Sequence, residues 1–298
     1  MYKFVKDYRD NEILRASFNR LAEETFGLNF EDWYQAGFWG DDYNPHSIVD
    51  CDTGHVVANV SVNRMEFLAD GRKQLLIQLG TVMTDKAYCG QGLSRRLMEW
   101  VLEEWEGRAD GVYLFANDTV LDFYPKFGFC KADEYQYVRP VKDDLCGRRI
   151  AGRNRVCARR VALETVSDWQ TFAVKVSAYH TQGSFAVNNL GLLMFYATSI
   201  FKDCVYYLEE LDAYVIAEVD NEALILYDIY AKGKVSPEKI AACFGKETGK
   251  QELGFTPEDS AGYDCRIYHE EDTTLFVKGA GLEHFTDEKK MFPILSHA

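Results

Sequence analysis

The chain has 298 residues and a formal net charge of −14 at neutral pH, with 47% hydrophobic and 14% aromatic residues. That length holds two domains of ordinary size, and that composition packs cores, which excludes a disordered chain. The acidity argues against a nucleic-acid binder, which needs a basic face, and is compatible with a cationic substrate.

Residues 2–6 read as a first strand. Residues 11–26 place Ile13, Leu14, Phe18, Leu21, Ala22 and Thr25 at helical spacing, with Gly27 as the stop. Asn29 is suited to cap a second, short helix through Tyr34 and Gln35. Residues 37–45 read as a loop that sets aromatic rings beside Asp41 and Asp42. Two strands, 47–51 and 55–67, are expected across the turn Asp52-Thr53-Gly54, and a third over 72–83.

The densest signal lies between Leu76 and Trp100. A short apolar strand runs to Val82, a tight turn carries Gly90 and Gly92, and a helix follows with Leu93, Leu97, Trp100, Val101 and Trp105 on one face. Successive N–H groups at a helix start, aided by the helix dipole, make an anion cradle, and glycine lets a ligand approach the backbone. No Gly-Lys-Ser/Thr follows, so the stretch is not a P-loop. It resembles the acetyl-CoA signature of the GNAT superfamily of N-acetyltransferases, Q/R-x-x-G-x-G/A. On that pattern Cys89 takes the Gln/Arg position, Gly92 the middle glycine and Ser94 the last small residue. Cysteine for Gln/Arg and serine for Gly/Ala are departures; the first removes a side chain and leaves the main-chain donors.

A second match follows at the family's spacing. Leu121-Asp122-Phe123-Tyr124-Pro125-Lys126-Phe127-Gly128-Phe129 is close to the segment F-Y-x-K-x-G-F, and Asn117 precedes it. The resemblance implies a mixed, mostly antiparallel α/β (α+β) sheet flanked by helices. It also implies that Val82, Met83 and Thr84 hold the pantetheine arm and polarise the thioester. The diphosphate would rest on Cys89, Gly90, Gln91, Gly92, Leu93, Ser94 and Arg95. Asn117 and Phe123 would face the cofactor, and Tyr124 would protonate the departing sulfur. Phe123 reads more as the core filler between helix and sheet than Tyr124 does.

The expected first unit spans residues 1–141 in the order strand, two helices, three strands, helix, strand, helix, strand, and 142–160, rich in arginine, reads as a linker. Residues 156–298 then repeat the order strand, two helices, three strands, helix, which implies a second GNAT-like unit. A helix is expected from Ser167, whose spacing to Gln170 suits a capping box, and another over 190–201. The turn at 231–235 lacks the paired glycines, so no CoA is expected there; packing against the first unit and completing the substrate cleft are.

The implied activity is transfer of an acetyl group from acetyl-CoA to a primary amine of a small molecule such as a polyamine, an aminoglycoside-like compound or an amino acid. Asp41 and Asp42 are the substrate candidates. The different-class alternative is a catalytically idle acyl-CoA sensor or scaffold. Asp41, Asp42, Glu66, a water chain or the C-terminal carboxylate of Ala298 are the options for a general base. Cys89 lacks a histidine partner and is not expected to be a nucleophile. Eight scattered cysteines without C-x-x-C and no Cys/His cluster give no expectation of a disulfide framework or a metal. With no apolar signal core and no long apolar run, the expectation is a cytoplasmic protein without membrane or nucleic-acid partners, for which a homodimer is compatible.

Overall fold

The computed structural model describes residues 1–141, 157–244 and 248–297. The linker residues Arg148, Arg149, Arg153 and Arg155 and the carboxylate of Ala298 lie outside the described residues.

Local chemistry sets most element ends. After β1 (Tyr2–Val5), α1 (Glu12–Phe26) opens on Asn11, whose side chain accepts from the Leu14 amide, and closes on Gly27 at φ 69°. Helix α2 (Glu31–Gln35) leads to β2 (Tyr43–Asp50), which begins earlier than the expected residue 47 and takes in the end of the expected loop. Strands β3 (Val56–Ala69) and β4 (Arg72–Thr84) form a long hairpin turned at Asp70-Gly71, both with positive φ. Then come α3 (Leu93–Trp105), β5 (Gly111–Ala116), β6 (Cys130–Lys131) and β7 (Tyr135–Pro140). The helix expected after β5 is instead two 3-10 turns, the second carrying Pro125 and stopped by Gly128 at φ 82°.

The second half contains β8 (Ala158–Arg160), α4 (Val166–Val176), β9 (His180–Thr181), β10 (Phe185–Val187), α5 (Leu190–Thr198) and β11 (Val205–Leu208). It continues with β12 (Ala213–Asp220), β13 (Ala223–Ala231), α6 (Pro237–Phe244), β14 (Lys250–Leu253), β15 (Asp264–Ile267) and β16 (Thr274–Lys278). The capping box of α4 is Thr165 with Asp168, two residues ahead of the expected Ser167, because Thr165 takes the Asp168 amide and Asp168 returns the bond.

Two mixed, mostly antiparallel sheets result, consistent with two GNAT-like halves. The first runs β1-β2-β3-β4-β5-β16-β6 with β10 beside β3; the second runs β15-β7-β14-β13-β12-β11-β8 with β9 beside β13. The halves exchange strands: β7 lies between β14 and β15, and β16 lies between β5 and β6. Among the described residues one disulfide, Cys157–Cys243, ties the residue before β8 to α6. Among the described residues no helix is long and apolar enough to cross a membrane.

The first sheet separates two cores. On one face Val60, Val62, Ile77 and Leu79 pack under α3 through Leu93, Leu97, Met98 and Val101. Burying each such side chain stabilises by about 1.5–3 kcal/mol. The other face carries α1 and α2 over Val49, Val56 and Met83. On that same side Met65, Phe67, Leu76 and Tyr113 pack with α4, α5 and second-sheet residues Tyr214, Ile216 and Tyr230. This shared core joins the halves.

Candidate active site

Strand β4 pairs with β5 in parallel for three residues, Leu76–Gly111 to Gln78–Tyr113, and then leaves it. Among the described residues no strand takes that edge of β4 from Leu79 to Thr84. Six residues of strand expose on the order of 20 Å of unpaired backbone donors and acceptors, an edge that must find a partner. The opening is fixed by a bulge. Thr81 stands at φ 41°, and the register against β3 shifts between Asn59 and Ser61, so Thr81 and Val82 share one partner residue. The Asn59 side chain donates to the Thr81 carbonyl at 2.9 Å, and Ser61 and Tyr43 bond the Thr81 hydroxyl.

The open edge ends at the start of α3. Gly90 and Gly92 have φ 79° and 73°, and nothing lies within 4 Å of where a Cβ would stand. Glycine is needed there for the left-handed backbone and not for space. Gly92 caps α3 with no side-chain hydrogen bond. The first intrahelical acceptor in the turn is the Gly92 carbonyl, bonded by the Arg96 amide. The amides of Leu93, Ser94 and Arg95 thus precede the helix's own ladder, at the positive end of a 13-residue dipole. Cys89, Gly90, Gln91, Gly92 and Arg95 are exposed, and Leu93 is buried as an anchor. The Ser94 hydroxyl bonds Thr84 at 2.6 Å, tying turn to strand. Gln91 accepts from the Tyr2 hydroxyl at 2.6 Å, and Arg95 pairs with Glu99 at 3.2 Å.

Tyr124 is buried on the α3 side of the sheet, against Phe123, Phe129 and Phe276. Burial, the sole cause, pushes its phenol up to about 12. Phe123 is half-buried at the same core's edge, so it fills as well as fronts. Asn117 is exposed, and its amide donates to Asp272 at 3.1 Å, while the Asp118 N–H donates to the same carboxylate at 2.7 Å. The family-like asparagine is thus held by a loop from the far end of the chain, a partner the sequence did not show.

Asp41 and Asp42 part company. Asp41 is exposed and paired with Arg9 at 2.8 Å. Asp42 is exposed at the rim of a cavity of about 100 Å³, on the sheet face opposite α3. Desolvation raises its carboxyl above the ordinary range, Arg64 opposes this, and Glu66 and Asp41 add to it. Asn63 and Tyr43 line the same cavity; Asn63 bonds Gln78, the last β4 residue paired to β5, and Tyr43 bonds Thr81. The cavity therefore abuts the apex of the splay from one side while Tyr124 and α3 stand on the other. Its remaining wall comes from α5, through Gly191, Leu192 and Phe195, with Asn189 just before it. No periodicity in the first half could have shown those residues.

This architecture is that of GCN5-related N-acetyltransferases. Residues 44–131, from β2 through the splay and α3 to β6, match the family model of the acetyltransferase (GNAT) domain. No curated protein matches it in sequence. Among solved structures it is similar to a GCN5-related N-acetyltransferase from Kribbella flavida (17% identity, TM-score 0.54), over 94% of this chain and 72% of that one. A probable N-acyltransferase of Enterococcus faecalis V583 is similar over 96% and 74% (12% identity, TM-score 0.56). Eis1 from Mycobacterium abscessus is similar over 92% and 72% (14% identity, TM-score 0.52). At these identities the likeness establishes the fold.

Proposed function

We propose that this chain is an N-acetyltransferase that moves the acetyl group of acetyl-CoA directly to a primary amine of a small molecule. The observation that carries the reading is the free edge of β4 from Leu79 to Thr84, ending at the uncapped start of α3. A strand edge suits the amide-bearing pantetheine arm, and the turn amides from Gly90 to Arg95 suit a diphosphate.

Acetyl-CoA would supply an activated acyl group as a thioester. Main-chain N–H groups at Val82 to Thr84 would polarise its carbonyl, a contact worth on the order of 3 kcal/mol. The amine nitrogen would bond the acetyl carbon and shed a proton to water, while Tyr124 would give its proton to the sulfur as the carbon–sulfur bond breaks and regain one from solvent. Cys89 would contribute its N–H, with Asn117 and Phe123 bordering the arm.

The second unit, residues 156–298, is proposed as GNAT-like without cofactor. Its β13 pairs in parallel with β14 from Ala223 to Leu226 and then diverges as β4 does, but β9 pairs the freed edge at Tyr230 and Ala231. Where the first unit leaves an edge open, the second closes it with its own chain. The division into 1–141 and 156–298 remains a proposal about two units that lend each other strands. A cytoplasmic setting belongs to the same reading.

Thiol release from acetyl-CoA across a panel of amines tests the proposal. Release that depends on an amine supports the transferase; binding of acetyl-CoA with no release across a broad panel supports the idle sensor.

A further inference from the structure

The acceptor cavity restricts what it can hold. Five rings line it: Phe30, Trp33, Phe38, Tyr43 and, from the second half, Phe195. Phe195 stacks on Phe30 at 5.3 Å and meets Trp33 edge-on at 5.7 Å. Most of the polar groups there are engaged elsewhere. The Trp33 indole donates to the Gly191 carbonyl at 2.9 Å, the Tyr43 hydroxyl is shared by Ser61 and Thr81, and the Asn189 oxygen caps α5. The Asn63 amide donates to Gln78. The carboxylate of the lining is that of Asp42, at its exposed rim. Among the described residues Arg64 is the cation that acts on it, from beyond ion-pair distance, and Glu66 and Asp41 add negative charge. A ligand would therefore meet mostly ring faces, with negative charge at the rim.

We propose that the acceptor is a compact, apolar primary monoamine, with its nitrogen on Asp42 and its hydrocarbon body among the five rings. This rests on the transferase reading. Ring faces favour a cation and a hydrocarbon surface together. The cavity's volume, about 100 Å³, is below the roughly 150 Å³ of an apolar cavity that holds benzene, so a short branched chain or one partly protruding ring fits. A polyamine that keeps one nitrogen on Asp42 would carry its second ammonium in among the rings. An amino sugar would set hydroxyls against rings with no partners, and an amino acid would bring its carboxylate towards Asp42. Each leaves a polar or charged group desolvated and unpaired. Phe195 sets the length of the body, which makes the second half a specificity element of the first half's site.

The test is steady-state thiol release with isoamylamine, phenethylamine, spermidine, glucosamine and glycine, for the full chain and for Asp42→Asn and Phe195→Ala, with calorimetry of acetyl-CoA binding as a parallel readout. The expected kcat/KM for the two monoamines exceeds that for the other three by about 30-fold or more, the range in which unpaired polar groups discriminate. Asp42→Asn should raise the amine KM by roughly the same factor and leave acetyl-CoA affinity intact. Phe195→Ala should shift preference from isoamylamine towards phenethylamine by about 10-fold. Preference for spermidine, glucosamine or glycine, an unchanged amine KM in Asp42→Asn, or no monoamine turnover by protein that binds acetyl-CoA would overturn the inference and leave cofactor binding standing. Failure to bind acetyl-CoA at all would fell the transferase reading beneath it.

Discussion

Tyr124 is the buried hydroxyl on which the proposed chemistry turns. Its ring packs among Phe123, Phe129 and Phe276, and burial alone pushes the phenol up to about 12. A group so shifted stays protonated across the working range, so it can always donate to a sulfur that carries developing charge. Tyr124→Phe keeps the ring and removes the donor. We expect kcat to fall by about 10²-fold, acetyl-CoA affinity to hold within about twofold, and thermal stability to hold or rise, since a buried hydroxyl is removed and no cavity is made. Rate and melting measurements on one preparation check this, and an unchanged kcat would remove Tyr124 from the proposed reaction. A basic limb assigned to Tyr124 should not appear in the pH profile below about pH 11. The turn at Gly90 and Gly92 was legible because it sits in a short motif whose backbone geometry is local. The Asp272 grip on Asn117 was not, because it joins residues far apart in sequence.

At the level of elements, the free edge of β4 and the uncapped start of α3 act together. A carboxylate at a helix N-terminus stabilises the helix but occupies the field that would attract a diphosphate. Ser94→Asp should therefore split two readouts: the melting temperature holds or rises, while acetyl-CoA affinity falls by about 10²-fold, as expected for a like charge at an anion site. Loss of stability together with affinity would point to the Thr84–Ser94 bond as mere scaffolding. The strands and α3 were legible from apolar runs and helical spacing, and so was the absence of a glycine turn after β13. Its physical consequence was not. β9 is two residues long and pairs β13 from about 50 positions away, below any periodic signal. The helix expected after β5 failed for a local reason, the Pro125 and Gly128 of a short 3-10 turn.

The whole molecule is joined by exchanged strands and by its last residues. Phe292 stacks on Tyr113 at 3.8 Å, the Tyr113 hydroxyl donates to the Ser296 carbonyl, and His297 stacks on Phe115 at 4.0 Å. His297 lies 3.5 Å from Glu134 and 3.7 Å from Glu270; burial disfavours its charge, yet the two carboxylates together push it up to about 9. A histidine whose folded pKa is raised contributes stability in full below its unfolded value of about 6.5 and loses it as pH rises through the folded value. Stability should therefore decline by on the order of 3 kcal/mol from pH 6.5 to above 9, and His297→Gln should flatten that slope. Denaturant midpoints at pH 6.5, 8 and 9.5 check it; equal slopes in both proteins would dismiss His297 as the cause. The repeated element order pointed to two sheets, but the exchange of β7 and β16 between them was not legible, because strand spacing says nothing about which sheet a strand joins.

Binding of coenzyme A, with or without its acetyl group, is what the open edge and the helix start both exist for in this account. Calorimetric titration of CoA into the full chain at low and high salt tests it most directly. The account predicts one site per chain with micromolar-range affinity, about −8 kcal/mol, weakened by salt because the diphosphate is held at an exposed dipole. No binding heat at either salt concentration, or two equivalent sites per chain, would contradict it.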